Sequence, residues 1–133
     1  MEQALDQNLS VEDKQRALFK ILSKVCDELF DGTQKRLAGC LHIDASTVSR
    51  WYKDGLCKLN PENRGNDYQV LIHLLAIYRS LASIFSNPAD RKAWFQSANL
   101  HLRGESPESL LESGIDGLLS VRQYLDFVRG QGA

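Results

Sequence analysis

Apolar residues recur along this chain at intervals of three and four, and no stretch alternates with the period of two that marks a strand. The pattern predicts helices from end to end, and so an all-α fold. Residues 1–9 read as a frayed leader. Ser10-Val11-Glu12-Asp13 has the form of an N-cap followed by first-turn acids. The helix behind it carries Leu18, Ile21, Leu22, Val25, Cys26, Leu29 and Phe30 on one stripe, and Asp31-Gly32 stops it. Lys14, Arg16, Lys20 and Lys24 lie off that stripe and read as a solvated face. Thr33 then caps a helix that begins at Gln34. Asp44 caps the next helix, and Asp54-Gly55 ends it.

The stretch Gln34–Trp51 organises the N-terminal half. Leu37, Ala38 and Leu41 share a face of the first helix, Val48 and Trp51 share a face of the second, and Ile43 falls in the turn, where it plugs the corner. Small Ala38 permits the close approach that a helix–turn–helix requires. The remaining positions of the second helix are Ser46, Thr47, Ser49, Arg50 and Lys53. Short hydroxyls for phosphates and base edges, with Arg for guanine, suit a helix lying in a major groove.

Leu56–Arg64 reads as a connection with a helix start at Asn60-Pro61, and Gly65-Asn66-Asp67 as a further break. From Tyr68 to Ser86 a long helix is apolar on more than one stripe, as expected of a helix buried on several sides or paired with a copy of itself. Asn87-Pro88 stops it. A short amphipathic helix from Asp90 carries Ala93, Trp94 and Phe95, and Asn99–Gly104 is a turn-rich loop. Ser106-Pro107-Glu108 opens another helix, with Leu110 and Leu111, that closes at Gly114. The last helix, Gly117–Gly130, sets Leu118, Val121, Leu125 and Val128 on one face.

Two resemblances follow from these residues. Gln34, Leu37, Ala38, Leu41, Ile43 and the run Ser46-Thr47-Val48-Ser49-Arg50-Trp51 resemble the Xre, or phage-repressor-like, helix–turn–helix. His42 stands at a turn position where that family usually has Gly, a site that tends to need positive φ. The tail is similar to the toxin-binding domain of Xre/MbcA/ParS antitoxins. Arg91, Trp94, Asn99, Leu102, Gly104, Pro107, Leu110, Leu111, Gly117, Leu118, Val121, Tyr124, Leu125 and Asp126 follow that pattern in order. Phe95 replaces the usual Leu, and Ala98 stands where Pro is common. Together the two resemblances span about residues 20–130.

They imply three segments: a helix–turn–helix region over 10–64, a connecting and dimerising helix over 65–89, and a small helical toxin-binding module over 90–133. They also imply an antitoxin of a type II toxin–antitoxin system. Such a protein neutralises a cognate toxin by direct binding, often a RES-type enzyme that degrades NAD, and represses its own operon. A homodimer is expected, because one half-site reader makes few contacts and paired readers bind half-sites about one helical turn apart.

The residue types assign the roles. Arg50 is the candidate base contact, and Ala45, Ser46, Ser49 and Lys53 share its helix. Gln34 and Lys35, at a helix start, suit phosphates. On the last helix, Arg122, Tyr124, Asp126 and Arg129 are the candidate toxin contacts, since Arg and Tyr anchor interfaces. Asn99, Gly104 and Pro107 are read as shaping the loop, and Trp94 as core.

Composition changes this picture little. The 133 residues, 43% hydrophobic and 25% charged, suit one globular domain or two very small ones. No apolar run would cross a membrane and no signal-peptide core is seen, so a cytoplasmic protein without membrane contact is expected. Net charge is −1, so any DNA surface must be local. Lys35, Arg36, Arg50, Lys53 and Lys58 outnumber Asp44 and Asp54 between residues 33 and 58, whereas Glu105, Glu108, Glu112 and Asp116 are all acidic. Cys26, Cys40 and Cys57 have neither the even number of a disulfide framework nor metal-site spacing, and His42, His73 and His101 are scattered. No nucleophile–base pair and no phosphate loop is present, so neither an enzyme nor a cofactor is expected. The rival readings are a stand-alone Xre-type transcription regulator without a toxin partner and a polar-localisation adaptor.

Overall fold

The described residues, 10–59 and 66–132 of a computed structural model, form seven α-helices and one 3-10 turn. These are α1 (Val11–Leu29), α2 (Gln34–Leu41), α3 (Ala45–Asp54), α4 (Asn66–Ile84), α5 (Pro88–Gln96), the turn Leu100–Leu102, α6 (Pro107–Ser113) and α7 (Ile115–Gly132). No strand occurs among them, so the all-α expectation is borne out. The readings made for residues 1–9, for the Asn60-Pro61 helix start and for Gly65 lie outside the described residues.

Most helix ends follow from local chemistry. Ser10 Oγ accepts the Asp13 N–H at 3.0 Å, Asn87 Oδ1 that of Ala89 at 2.9 Å, and Ser106 Oγ that of Ser109 at 3.1 Å. Pro88 and Pro107 each open a helix, where a missing N–H costs nothing. α5 therefore starts at Pro88 rather than at Asp90. Thr33 and Asp44 occupy N-cap positions with extended backbone, but neither side chain makes the capping bond. Gly114, at φ 139°, breaks the chain in a single residue, so α7 begins at Ile115 rather than Gly117.

One contiguous core runs through every helix. Leu22, Val25, Cys26, Leu29 and Phe30 of the α1 stripe are fully buried, but Ile21, at the edge of that stripe, is 41% exposed. Phe95, standing where the resembled pattern has Leu, packs edge-on to Phe30 with centroids 5.2 Å apart. Phe19 does the same with Tyr52, joining α1 to α3 at 5.0 Å. The apolar pattern of α4 is explained within the chain: Val70, Leu71, Leu74, Leu75, Ile77, Tyr78 and Leu81 are buried against α1, α2, α5 and α7. Gln69, Arg79 and Ser83 are left outward.

The tail closes on α4 as a helical hairpin. Leu118, Val121 and Leu125 of α7 are buried, and Leu111 of α6 joins them. The hairpin depends on Gly117. A Cβ built there would overlap the carbonyl oxygen of Leu110 and lie 2.8 Å from Ser113 Oγ. Backbone cannot yield as a flexible side chain can, so Gly117→Ala is expected to lower stability by at least the ~1–3 kcal/mol typical of overpacking. Urea unfolding monitored by circular dichroism measures this. The control is Gly130→Ala, also in α7, where a Cβ meets nothing within 4 Å and the midpoint should hold or rise slightly.

Candidate nucleic-acid and toxin-binding surfaces

The α2–turn–α3 unit is built from its buried side. Leu37, Ala38, Leu41, Val48 and Trp51 are buried, and Ile43 is half-buried against them in the corner. His42 adopts φ 58°, ψ 41°, the left-handed conformation expected at that position despite its side chain. The Ile43 N–H returns to the Ala38 carbonyl at 3.2 Å and that of His42 to Gly39 at 3.3 Å, closing α2. Opposite the buried pair on α3, Ala45, Ser46, Ser49, Arg50 and Lys53 are all exposed and share one face. Arg50 Nη2 lies 3.3 Å from Thr47 Oγ1. Lys35 is exposed and Gln34 half-buried at the start of α2. The structure thus brings the α3 residues together as one polar strip.

The basic run is thinner than its residue types imply. Arg36 turns away from α3 and holds Glu108 of α6 through Nε at 2.8 Å and Nη2 at 2.5 Å. Asp31 at 3.2 Å and the Phe30 carbonyl at 3.3 Å complete its contacts. The Glu108 carboxylate beside it holds the guanidinium above its ordinary range. Lys58 pairs with Asp54 at 2.8 Å. Among the described residues, Lys35, Arg50 and Lys53 make no ion pair.

Arg36 is one of three bolts between α2 and α6. Cys40 Sγ lies 3.7 Å from the Glu108 carbonyl, and His42 Nε2 lies 2.9 Å from the Leu111 carbonyl. A carbonyl only accepts, so Nε2 is the protonated nitrogen of His42. A second set of contacts joins α1 to α5. Gln96 Nε2 satisfies the Leu29 carbonyl at 2.9 Å, and Lys92 Nζ meets Asp31 at 2.9 Å. Lys92, Gln96 and Arg36 together pull the Asp31 carboxyl down to about 2. Arg91 Nη1 meets Glu28 at 2.7 Å, while its Nε and Nη2 cap the end of α4 at the carbonyls of Phe85 and Ser86, 2.8 and 3.2 Å away. Tyr78 donates its hydroxyl to the same Glu28 at 2.6 Å. Burial works to raise the Glu28 carboxyl, but the Tyr78 hydroxyl and Arg91 overcome it and hold it below the usual range.

The four toxin-contact candidates on α7 do not share a surface. Arg122 reaches back to His73 Nδ1 of α4 at 2.5 Å, and Arg129 Nη1 lies 3.3 Å from buried Ser80 of α4. Burial, and then the Arg122 charge, lower the His73 pKa, which fits a neutral ring accepting from the guanidinium. Asp126 is exposed on this same side of the helix. Tyr124 points the other way, stacked between Trp94 at 6.3 Å and His101 at 5.6 Å. Beside it lies a groove of about 440 Å³ between the 3-10 turn and α7, lined by Arg103, Leu110, Gln123, Tyr124 and Phe127 among others. Leu100, 94% exposed, and Phe127, 59% exposed, stand at this end of the molecule. Sequence reasoning missed both. The signal was there: Phe127 falls off the Leu118–Val121–Leu125 stripe, and a tight turn buries only one of Leu100 and Leu102.

Residues 80–130 match the family described as the antitoxin Xre/MbcA/ParS C-terminal toxin-binding domain. The matched segment runs from the end of α4 through most of α7. The resemblance drawn from Arg91 through Asp126 is borne out, since all of those residues lie within the segment that matches this antitoxin domain. No curated protein matches the chain.

Burial pushes all three free thiols up, Cys57 to about 11, so they stay protonated. Among the described residues no group of three or more His, Cys, Asp or Glu could hold a metal ion, and no helix is long and apolar enough to cross a membrane.

The Glu28 and Asp31 pairs make stability depend on pH in a defined sense. Both carboxyls titrate lower folded than unfolded. Their contribution is complete above the unfolded value near 4 and disappears as pH falls through the folded ones. The melting temperature should therefore hold from neutrality to about pH 5 and drop towards pH 2. Glu28→Gln should melt lower at pH 7 and show a shallower decline on acidification, measured by calorimetry across that range.

Proposed function

We propose that this protein is the antitoxin of a type II toxin–antitoxin system. It binds and neutralises a cognate toxin, a RES-type NAD-degrading enzyme, through its C-terminal domain, and represses its own operon through α2 and α3. The observation that carries the first part is the toxin-binding-domain match over residues 80–130. It favours this reading over a regulator without a toxin partner. Support for the second part is the exposed strip Ala45, Ser46, Ser49, Arg50 and Lys53 on α3, opposite buried Val48 and Trp51. The N-terminal part of that helix enters the major groove, Arg50 reads guanine, and Gln34 and Lys35 meet the flanking phosphates.

Two copies bind the operator, since one strip this short makes few contacts. Toxin contact uses the Tyr124 side of α7, whereas Asp126 is exposed on the opposite side, away from it. Arg122 and Arg129 act chiefly by holding α7 on α4, as their bonds to His73 and Ser80 indicate.

Expression of the adjacent reading frame alone should arrest growth and deplete cellular NAD, and co-expression of this protein should restore both. Arg50→Ala should weaken operator binding by about 5- to 150-fold, the ~1–3 kcal/mol of a bidentate guanine contact, in a gel-shift titration. The same variant should still rescue growth. Failure of the wild-type protein to rescue would refute the antitoxin reading, and an unchanged gel shift would remove Arg50 from the DNA contact.

A further inference from the structure

The groove between the 3-10 turn and α7 has the properties of a docking site for one kind of partner. Tyr124 is among its lining residues, and Leu100 and Phe127 present large apolar surfaces at the same end of the molecule. The exposure of Leu100 is built in. Asn99 Oδ1 accepts the His101 N–H at 2.9 Å, the Asn99 carbonyl accepts from Gly104 at 2.9 Å, and the Asn99 N–H donates to Glu105 at 3.0 Å. Leu102 is buried beneath and anchors the turn, while Arg103 and Gly104 take left-handed backbone to close it. These bonds fix the backbone of the turn that presents Leu100, so little backbone entropy is lost on docking. Leu100, the most exposed of the large hydrophobic side chains at 94%, together with Phe127 at 59%, marks an interaction surface.

The charge of the groove narrows the occupant. No carboxylate lines it, whereas Arg103 does and makes no ion pair among the described residues. Of the nearby acids, Glu105 is engaged with Ser109 Oγ at 3.0 Å. The volume of about 440 Å³ admits one or two side chains, not a whole element.

We propose that this groove receives a segment of the toxin that carries an apolar side chain next to a carboxylate. The apolar group packs against Tyr124 and Phe127, the carboxylate pairs with Arg103, and Leu100 inserts into the toxin in return. The proposal rests on the antitoxin reading and names the surface that reading uses, which lies wholly within the matched segment.

The test is calorimetric titration of the full-length chain with the product of the adjacent reading frame, rendered inactive for purification. Leu100→Asp and Arg103→Glu are the variants, and neither side chain supports the fold. Their melting temperatures should match wild type. Leu100→Asp should weaken binding by about 30-fold or more, the scale of an interface anchor. Arg103→Glu should weaken it by about tenfold and remove most of the salt dependence of the association rate. If wild type binds and both variants bind equally well, the groove is not the docking site while the antitoxin reading stands. If wild type neither binds the product nor rescues cells from it, the antitoxin reading fails, and this proposal with it.

Discussion

Three helices meet at the carboxylate of Glu28. Arg91 from α5 and Tyr78 from α4 both donate to it, and the rest of the Arg91 guanidinium closes the end of α4 on two carbonyls. Both members of the ion pair are largely sequestered, with side chains 13% and 14% exposed. Removing either one leaves a poorly solvated charge, which destabilises more than the intact pair stabilises. Lysine could not replace Arg91, because only a planar fork reaches one carboxylate and two carbonyls at once. The angle between α4 and α5 is set here, and with it the position of everything C-terminal to residue 86.

The consequence is that the two halves of the protein are not independent modules. α6 touches both: Glu108 and Leu111 hold α2, while Leu110 and Gly117 define the contact with α7. His42, in the turn that aims α3, is bonded to the same short helix. Removing α7 would therefore uncover α4 and the Leu111 side of α6, not trim a separable tail. The polar strip on α3 and the groove beside α7 are two surfaces on one body.

The residues that carry the antitoxin resemblance are mostly its scaffold. Arg91 clamps helices, Asn99 and Gly104 shape the turn, Pro107 starts α6, Gly117 lets α6 and α7 touch, and Leu102, Leu111, Leu118, Val121 and Leu125 are buried. Tyr124 belongs to both scaffold and groove. The large side chains that face outward at that end, Leu100 and Phe127, lie outside the pattern.

The sequence alone determined what depends on local chemistry and on period. Caps at Ser10 and Ser106, the proline start at Pro107, the stops at Asp31-Gly32 and Gly55, the left-handed backbone at His42 and the buried stripes of α1, α3 and α7 are all consequences of neighbours within a few residues. The exposed strip on α3 follows from the same periodicity. What only the tertiary structure decided is where long polar side chains end. Arg36, Arg122 and Arg129 have the residue type of surface contacts, yet two are committed to His73 and Ser80 and one to Glu108, 72 residues away. Period places a Cβ on a face, but an arginine spans several ångströms beyond it, and its partner is chosen by which helix the fold brings alongside.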